Sequence, residues 1–438
     1  MQFKQYPSYK DSGEEWLGKV PEHWPSLRFK YFLHEKKSKQ NMNLPFGAIS
    51  FGEVVYKEEK TNLTEELKSK YQEVIEGEFL INPLNLNYDL KSLRTALSTI
   101  DVVVSSGYIV VDISNNSNEK SYLKYLLYIF DIKKMKTLGA GIRQTITFTD
   151  IGNCIVNLPP KSEQAQIANF LDTETARIDN LIAKQEKLIE LLEEQRKSII
   201  SHAVTKGLDP NAPMKDSGVE WLGEVPEHWV VLKNRHLLNF STGLSITKAN
   251  LQESGIPCVS YGEVHSKLGF EFNPEVDDVK FVSDEYLSTS RNCLLNQGDF
   301  VFADTSEDFE GSGNFSYLNS KTQAFAGYHT VIARLKSNQN PRFLAYVFDS
   351  NAHRKQIQTL VKGIKVFSIT QTILKDVYSW IPPIVEQNQI VEVLDGKCKN
   401  IDELISKQNG LIENLKEYRS SIISHAVTGK IDVREYAE

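Results

Sequence analysis

At 438 residues, the chain has room for two to four domains that each bury a core, and its 40% hydrophobic and 24% charged residues fit a soluble globular protein. No apolar run approaches the roughly 18 residues of a membrane span, the N-terminus MQFKQYPSYKDSGEEW lacks the apolar core of a secretion signal, and Cys154, Cys258, Cys293 and Cys398 stand isolated, so buried thiols in a reducing cytoplasm are expected and a zinc site is not. A net charge of −7 excludes a uniformly basic, indiscriminate nucleic-acid binder.

The first segment, KDSGEEWLGKVPEHW at residues 10–24, places Trp16, Leu17, Val20 and Trp24 as docking groups between Gly and Pro turns. His23 has Glu22 beside it but no nucleophile or second ligand, which assigns it a structural role. Residues 25–158 then read as a mixed α/β block. Short β-rich runs such as Asp101–Val104 alternate with Gly and Asn turns, and a single amphipathic helix is predicted near Glu119–Lys136. The helix has a basic end, Lys133, Lys134 and Lys136, which runs into GAGIRQ at residues 139–144 with Arg143 and Gln144. Gly permits close backbone approach, and Arg, Lys and Gln supply phosphate or base-edge hydrogen bonds. The same residues also fit a solvated helix end whose cations favour its negative pole. Both readings stand on the residues alone.

Pro159 and Pro160 introduce a long helical stretch through residue 206. Ile178, Leu181, Gln185, Leu188, Leu192, Gln195 and Ile199 recur at steps of 3 and 4, a coiled-coil seam that Ile182 and Ile189 widen. From Asp172 to Ser201 this makes a rod of roughly 45 Å. A narrow stripe of that length needs a partner.

The chain supplies one. After a short, stiff linker (KGLDPNAPM), the opener returns at residues 215–229 as KDSGVEWLGEVPEHW, with His228 in the place of His23. Residues 230–381 form a second divergent block with faint echoes of the first. SFGEV (50–54) answers SYGEV (260–264), EGEFL (76–80) answers QGDFV (297–301), and Gly107-Tyr108 answers Gly327-Tyr328. A helix is predicted over Pro341–Val361, and the second basic end comprises Arg354, Lys355, Lys362 and Lys365. Pro382 and Pro383 then open a near copy of the long helix, offset by 223 residues, with Ile401, Leu404, Gln408, Leu411, Leu415, Tyr418 and Ile422 on the seam. The expected divisions are therefore 1–158, 159–206, 207–229, 230–381 and 382–438.

Charge is partitioned along this plan. Residues 25–158 carry 17 Lys and Arg against 15 Asp and Glu, and residues 230–381 carry 15 against 15, so the acid sits in the repeated segments. Catalytic signatures are missing: no phosphate-binding GxxxxGK[ST], GxSxG or HExxH occurs. Glu58-Glu59-Lys60 is only a fragment of a nuclease carboxylate cluster, and Asn82-Pro83-Leu84 only a faint echo of an amino-methyltransferase loop. The residues therefore describe a non-catalytic chain.

The order of opener, variable block, Pro-Pro-x-x-Glu-Gln and long helix, given twice, resembles the specificity subunits of bacterial type I restriction-modification systems. LPPKSEQ (158–164) and IPPIVEQ (381–387) carry the resemblance, together with Gln166-Ile167, Leu171-Asp172, Gln389-Ile390 and Leu394-Asp395, the SHAVT stretches at 201–205 and 424–428, and the two openers. It spans nearly the whole chain. It implies an α+β fold in which two similar mixed α/β target-recognition domains are separated by an antiparallel coiled coil, with pseudo-twofold internal repetition. It further implies that each domain reads one half of a bipartite, asymmetric duplex DNA sequence. Two methyltransferase subunits and a restriction subunit are the implied partners, and S-adenosylmethionine, ATP and Mg would belong to those partners rather than to this chain. The near-neutral charge of the variable blocks leaves open another class, a protein-interaction scaffold built on the coiled coil.

Overall fold

The computed structural model describes residues 3–57, 70–84, 93–113, 118–138, 145–363 and 365–436. Two compact units emerge, and only one of them follows the chain in a single run. One comprises Met1–Glu186 with Asn409–Glu438, the other Lys187–Gln408. The long helices, Lys161–Lys206 and Ile384–Val427, each contribute one part to each unit.

In the first unit the opener is an antiparallel hairpin, Tyr9–Asp11 with Lys19–Pro21. Ser26–Arg28 pairs with Ile155–Asn157, and so brings the start of the block beside the strand that leads into Pro159-Pro160. The main sheet has the order Leu33–Glu35, Ile109–Ile113, Phe79–Ile81, Thr95–Leu97, all antiparallel. A hairpin, Gly47–Ser50 with Glu53–Tyr56, and a strand pair, Tyr71–Val74 with Val102–Ser105, enclose a small satellite core of Val54, Val74, Leu80, Val102 and Val110. The helix Lys120–Lys133 ends earlier than its sequence pattern predicts, and Met135–Thr137 follow as a 3-10 turn. Its buried face (Tyr122, Leu126, Phe130) joins Trp16, Trp24, Ile167 and Leu171 in the principal core, which also takes in Ile422, Ile423, Ala426 and Val427.

The second unit repeats the plan with a larger sheet. Its opener hairpin is Met214–Asp216 with Glu224–Pro226, and Val230–Lys233 pairs with Tyr378–Ile381. Five strands follow in the order Leu238–Thr242, Thr330–Leu335, Phe300–Ala303, Phe315–Leu318, Phe270–Phe272, the last pair parallel. A four-stranded sheet, Lys280–Val282, Ile256–Val259, Ala324–Ala326, Leu294–Leu295, covers a second core. The matched EGEFL and QGDFV runs are matched turns: Gly77 (φ 85°) and Gly298 (φ 89°) each precede a buried strand. SFGEV and SYGEV differ, however. The first is a hairpin turn, whereas the second opens the helix Tyr261–Ser266, boxed by Ser260 and Glu263. Pro341–Val361 is likewise not one helix but two, Pro341–Asp349 and Asn351–Leu360. Ser350 adopts extended backbone (ψ 146°) and caps the second through His353 N–H.

Within each unit the helix segments run antiparallel. In the first, Phe170 lies against Tyr436 while Asp179 accepts from Arg419 Nε at 2.8 Å. In the second, Gly207 lies beside Glu386 while Arg196 donates to Asp402 at 2.9 Å. The seam keeps Ile178, Gln185, Leu192 and Ile199 of the predicted set, with Ile401, Gln408, Leu415 and Ile422, while the positions between them shift by one onto the Ile flank. Ile178, Ile182, Gln185, Ile189, Leu192, Arg196 and Ile199 are buried or half-buried, as are their equivalents Ile401, Ile405, Gln408, Ile412, Leu415, Arg419 and Ile422. Leu188, Leu404 and Leu411 are instead 39%, 43% and 42% exposed, Leu181 is half-buried, and Tyr418 is exposed. Steps of 3,4 and 4,3 from Ile178 have the same period, so periodicity alone does not choose between the Leu and the Ile flank.

Candidate nucleic-acid interface

The repeated motif residues are fasteners. Glu163, buried, accepts three bonds: from Tyr6 Oη at 2.6 Å, His23 Nε2 at 2.8 Å and Trp24 Nε1 at 3.1 Å. Glu386 takes His228 Nε2 at 2.7 Å and Trp229 Nε1 at 3.1 Å. Each opener is thus tied to the first turn of its own long helix, where a carboxylate also meets the positive helix pole. Both histidines have the structural role expected of them.

The neighbouring glutamines bind the variable block. Gln164 accepts from Glu119 N–H at 3.0 Å and donates to Pro159 O at 2.9 Å and Asn118 Oδ1 at 2.8 Å. Gln387 accepts from Asn340 N–H at 2.8 Å and donates to Pro382 O at 2.8 Å and Gln339 Oε1 at 2.5 Å. Two turns on, Tyr125 Oη donates to Asp172 at 2.7 Å and Tyr346 Oη to Asp395 at 2.6 Å. Burial pushes both phenols above their usual range. Every block is therefore clamped at the start of its domain helix and again along it. The sequences between clamps are free to differ.

The predicted basic residues meet different surroundings. Lys133 donates to Ser424 Oγ at 2.7 Å, with burial pulling its pKa down, and Lys134 pairs with Glu14 at 3.3 Å. Both cations are engaged by the chain itself, because the helix end they occupy is the joint to the second long helix and the opener. Lys136 is half-buried near Asp131. Arg143 and Gln144 lie outside the described residues, as do Glu58-Glu59-Lys60. In the second domain, Arg354 is held by Asn314 at 2.8 Å and Asp349 at 2.9 Å, and Lys355 is half-buried. Lys362 and Lys365 are exposed on the turn after that helix, and present open charge. Asn82 merely accepts from Leu84 N–H, a local turn.

Sequence reading passed over two aromatic features. Phe51, on the hairpin turn, is 94% exposed. Around the second domain's corresponding segment, Tyr261 meets Tyr328 (5.7 Å) and His329 (5.4 Å), and His265 links Thr305 O to Asn314 and so to Arg354. The SFGEV and SYGEV echo was the available signal for both.

Among the described residues no cluster of three or more His, Cys, Asp or Glu could hold a metal ion, no helix is long and apolar enough to cross a membrane, and the four cysteines are free and buried.

Two like-built domains, each clamped to a long helix by the same residues, define a class of paired recognition modules on a coiled-coil frame. The family model for the type I restriction modification DNA specificity domain matches residues 30–191 and 226–414, so the chain belongs to that family of specificity subunits. It is 25% identical over 423 residues to the type I restriction enzyme MjaVIII specificity subunit of Methanocaldococcus jannaschii, covering 95% of both chains. To the EcoKI specificity subunit of Escherichia coli it is 24% identical over 70% of this chain and 64% of the relative. Among solved structures, a chain from a study of type I R-M complex assembly and conformational transition superposes with a TM-score of 0.66 at 16% identity, over 93% of this chain and 98% of that one. The HsdS subunit of Thermoanaerobacter tengcongensis gives 0.51 at 16% identity, over 94% and 98%.

Proposed function

We propose that this chain directs a type I restriction-modification complex to a bipartite, asymmetric duplex sequence, one domain reading each half. The observation that carries this is the double clamping. Gln164, Asp172 and Glu163 hold one divergent block as Gln387, Asp395 and Glu386 hold the other, so two different surfaces are presented by one repeated mount. The long helices act as the spacer and as the docking frame for two methyltransferase subunits and a restriction subunit. S-adenosylmethionine, ATP and Mg are used by those partners. The chain itself performs no catalysis and works in the cytoplasm. Open cations such as Lys362 and Lys365 supply phosphate contacts that position the second domain without reading sequence.

The test is methylation mapping in a host expressing this chain with its partner methyltransferase. A two-part, gapped motif is expected, and exchange of residues 230–381 for those of a relative should change one half of it only. A continuous or palindromic motif, or none, would sink the reading. Sequence-specific, salt-dependent duplex binding by the complex separates it from a protein-only scaffold.

A further inference from the structure

We propose that Phe51 is an apolar wedge, inserted between base steps of the duplex by the first domain; this rests on the DNA-recognition reading above. Phe51 and Gly52 form a two-residue connection between the paired Ser50 and Glu53, and both have positive φ, 48° and 82°. A hairpin of that kind favours Asn-Gly or Gly-Gly, because a side chain beyond Cβ crowds the backbone in the left-handed region. Phe is therefore disfavoured by backbone geometry. It is disfavoured again by solvent: at 94% it is the most exposed large apolar residue among those described.

Among the described residues, a ring this exposed gains too little burial to offset either cost. Phe51 is one of the residues that line a small cleft of about 110 Å³, with Gly52, Leu93, Lys124 and Tyr128 among the others, and Lys124 is exposed. A protein-docking face would need a contiguous apolar patch. Among the described residues, the chain neighbours on this narrow turn, Ser50, Gly52 and Glu53, add no second large apolar side chain. A two-stranded ribbon is narrow enough to enter a DNA groove. Lone Phe, Leu or Met side chains on such elements partly unstack the step they enter. In this reading Lys124, exposed and lining the same cleft, meets a phosphate flanking that step.

The experiment first selects bound duplexes from a random pool with the complex of this chain and its methyltransferase. 2-Aminopurine is then moved through both half-sites of the selected duplex. Wild type is expected to raise emission at one step in one half-site. Phe51→Asn suits the turn better, so its melting temperature should equal or exceed that of wild type. It should nevertheless lose the emission and bind roughly 5- to 150-fold more weakly, the range for one aromatic–base stack. Phe51→Trp should keep both. Wild-type affinity and emission in Phe51→Asn would overturn the wedge while leaving DNA recognition intact. Failure of Phe51→Asn to assemble with the methyltransferase in the absence of DNA would make the ring a protein anchor and also overturn it. If wild type selects no duplex, the recognition reading falls and the wedge with it.

Discussion

Glu163 gathers Tyr6, His23 and Trp24, residues that lie 139 to 157 positions away in the chain. The motif that contains it was plain in the sequence because it occurs twice, but its partners were not, since a donor that distant becomes a neighbour only through the fold. Removing the carboxylate strands buried donors, so Glu163→Ala should cost about 2–4 kcal/mol in urea unfolding, with Glu163→Gln recovering part of it. Glu386→Ala should cost less, because that side chain is more exposed. His353 makes a different point. It is fully buried against Phe348 and the Asn234 amide, and burial drops its pKa to about 3. The unfolded chain takes up this proton near pH 6.5 and the folded chain does not. Its contribution to stability is therefore complete above about pH 6.5 and is lost as pH falls toward 3, at up to about 1.4 kcal/mol per unit. His353→Gln, followed by thermal unfolding across that window, should flatten this acid limb.

At the scale of elements, the long helices show what a repeat does and does not reveal. Their existence, length and pairing were legible from a 3-4 period given twice at constant offset. Their phase was not, because Leu and Ile flank the stripe on either side and hydrophobicity does not distinguish them. The structure chooses the Ile flank and places Arg196 and Arg419 on the seam, where they reach Asp402 and Asp179. These four residues are themselves related by the 223-residue offset, so both bridges express one rule of register. With the arginines half-buried and the aspartates exposed, each contributes only about 0.2–1 kcal/mol, and their value lies in alignment. The phase is tested by truncation. Ile412→Ala should destabilise by about 2–4 kcal/mol and Leu411→Ala by under about 1, read from denaturant midpoints. The reverse order would restore the predicted seam. Surface chemistry was least legible: Lys133 and Lys134 looked open in sequence and are engaged by Ser424 and Glu14.

For the whole molecule, the proposed function makes the helices a spacer. One heptad added to each, beside Ile189 and Ile412, lengthens a helix by about 10 Å and drifts its face by only about 20°. At about 3.4 Å per base-pair step the preferred gap should grow by roughly three pairs, with both half-site sequences unchanged. Three pairs also turn one half-site by nearly a third of a revolution, so weaker binding is expected alongside the longer gap. Selection from a random pool reads both. A variant that folds and keeps the original gap would mean that the helices do not set it.

The interleaving of the two units has a consequence for synthesis. The unit built from Lys187–Gln408 is one uninterrupted stretch, whereas the principal core of the other needs Ile422, Ile423, Ala426, Val427 and Val433. On the ribosome, the domain that emerges first therefore finishes last. Some 240 residues separate Lys187 from Ala426, and at about 5–20 residues per second the first core stays open for roughly 12–50 s. Through that interval Ile167, Leu171 and Ile178 wait on a helix whose mate has not been translated.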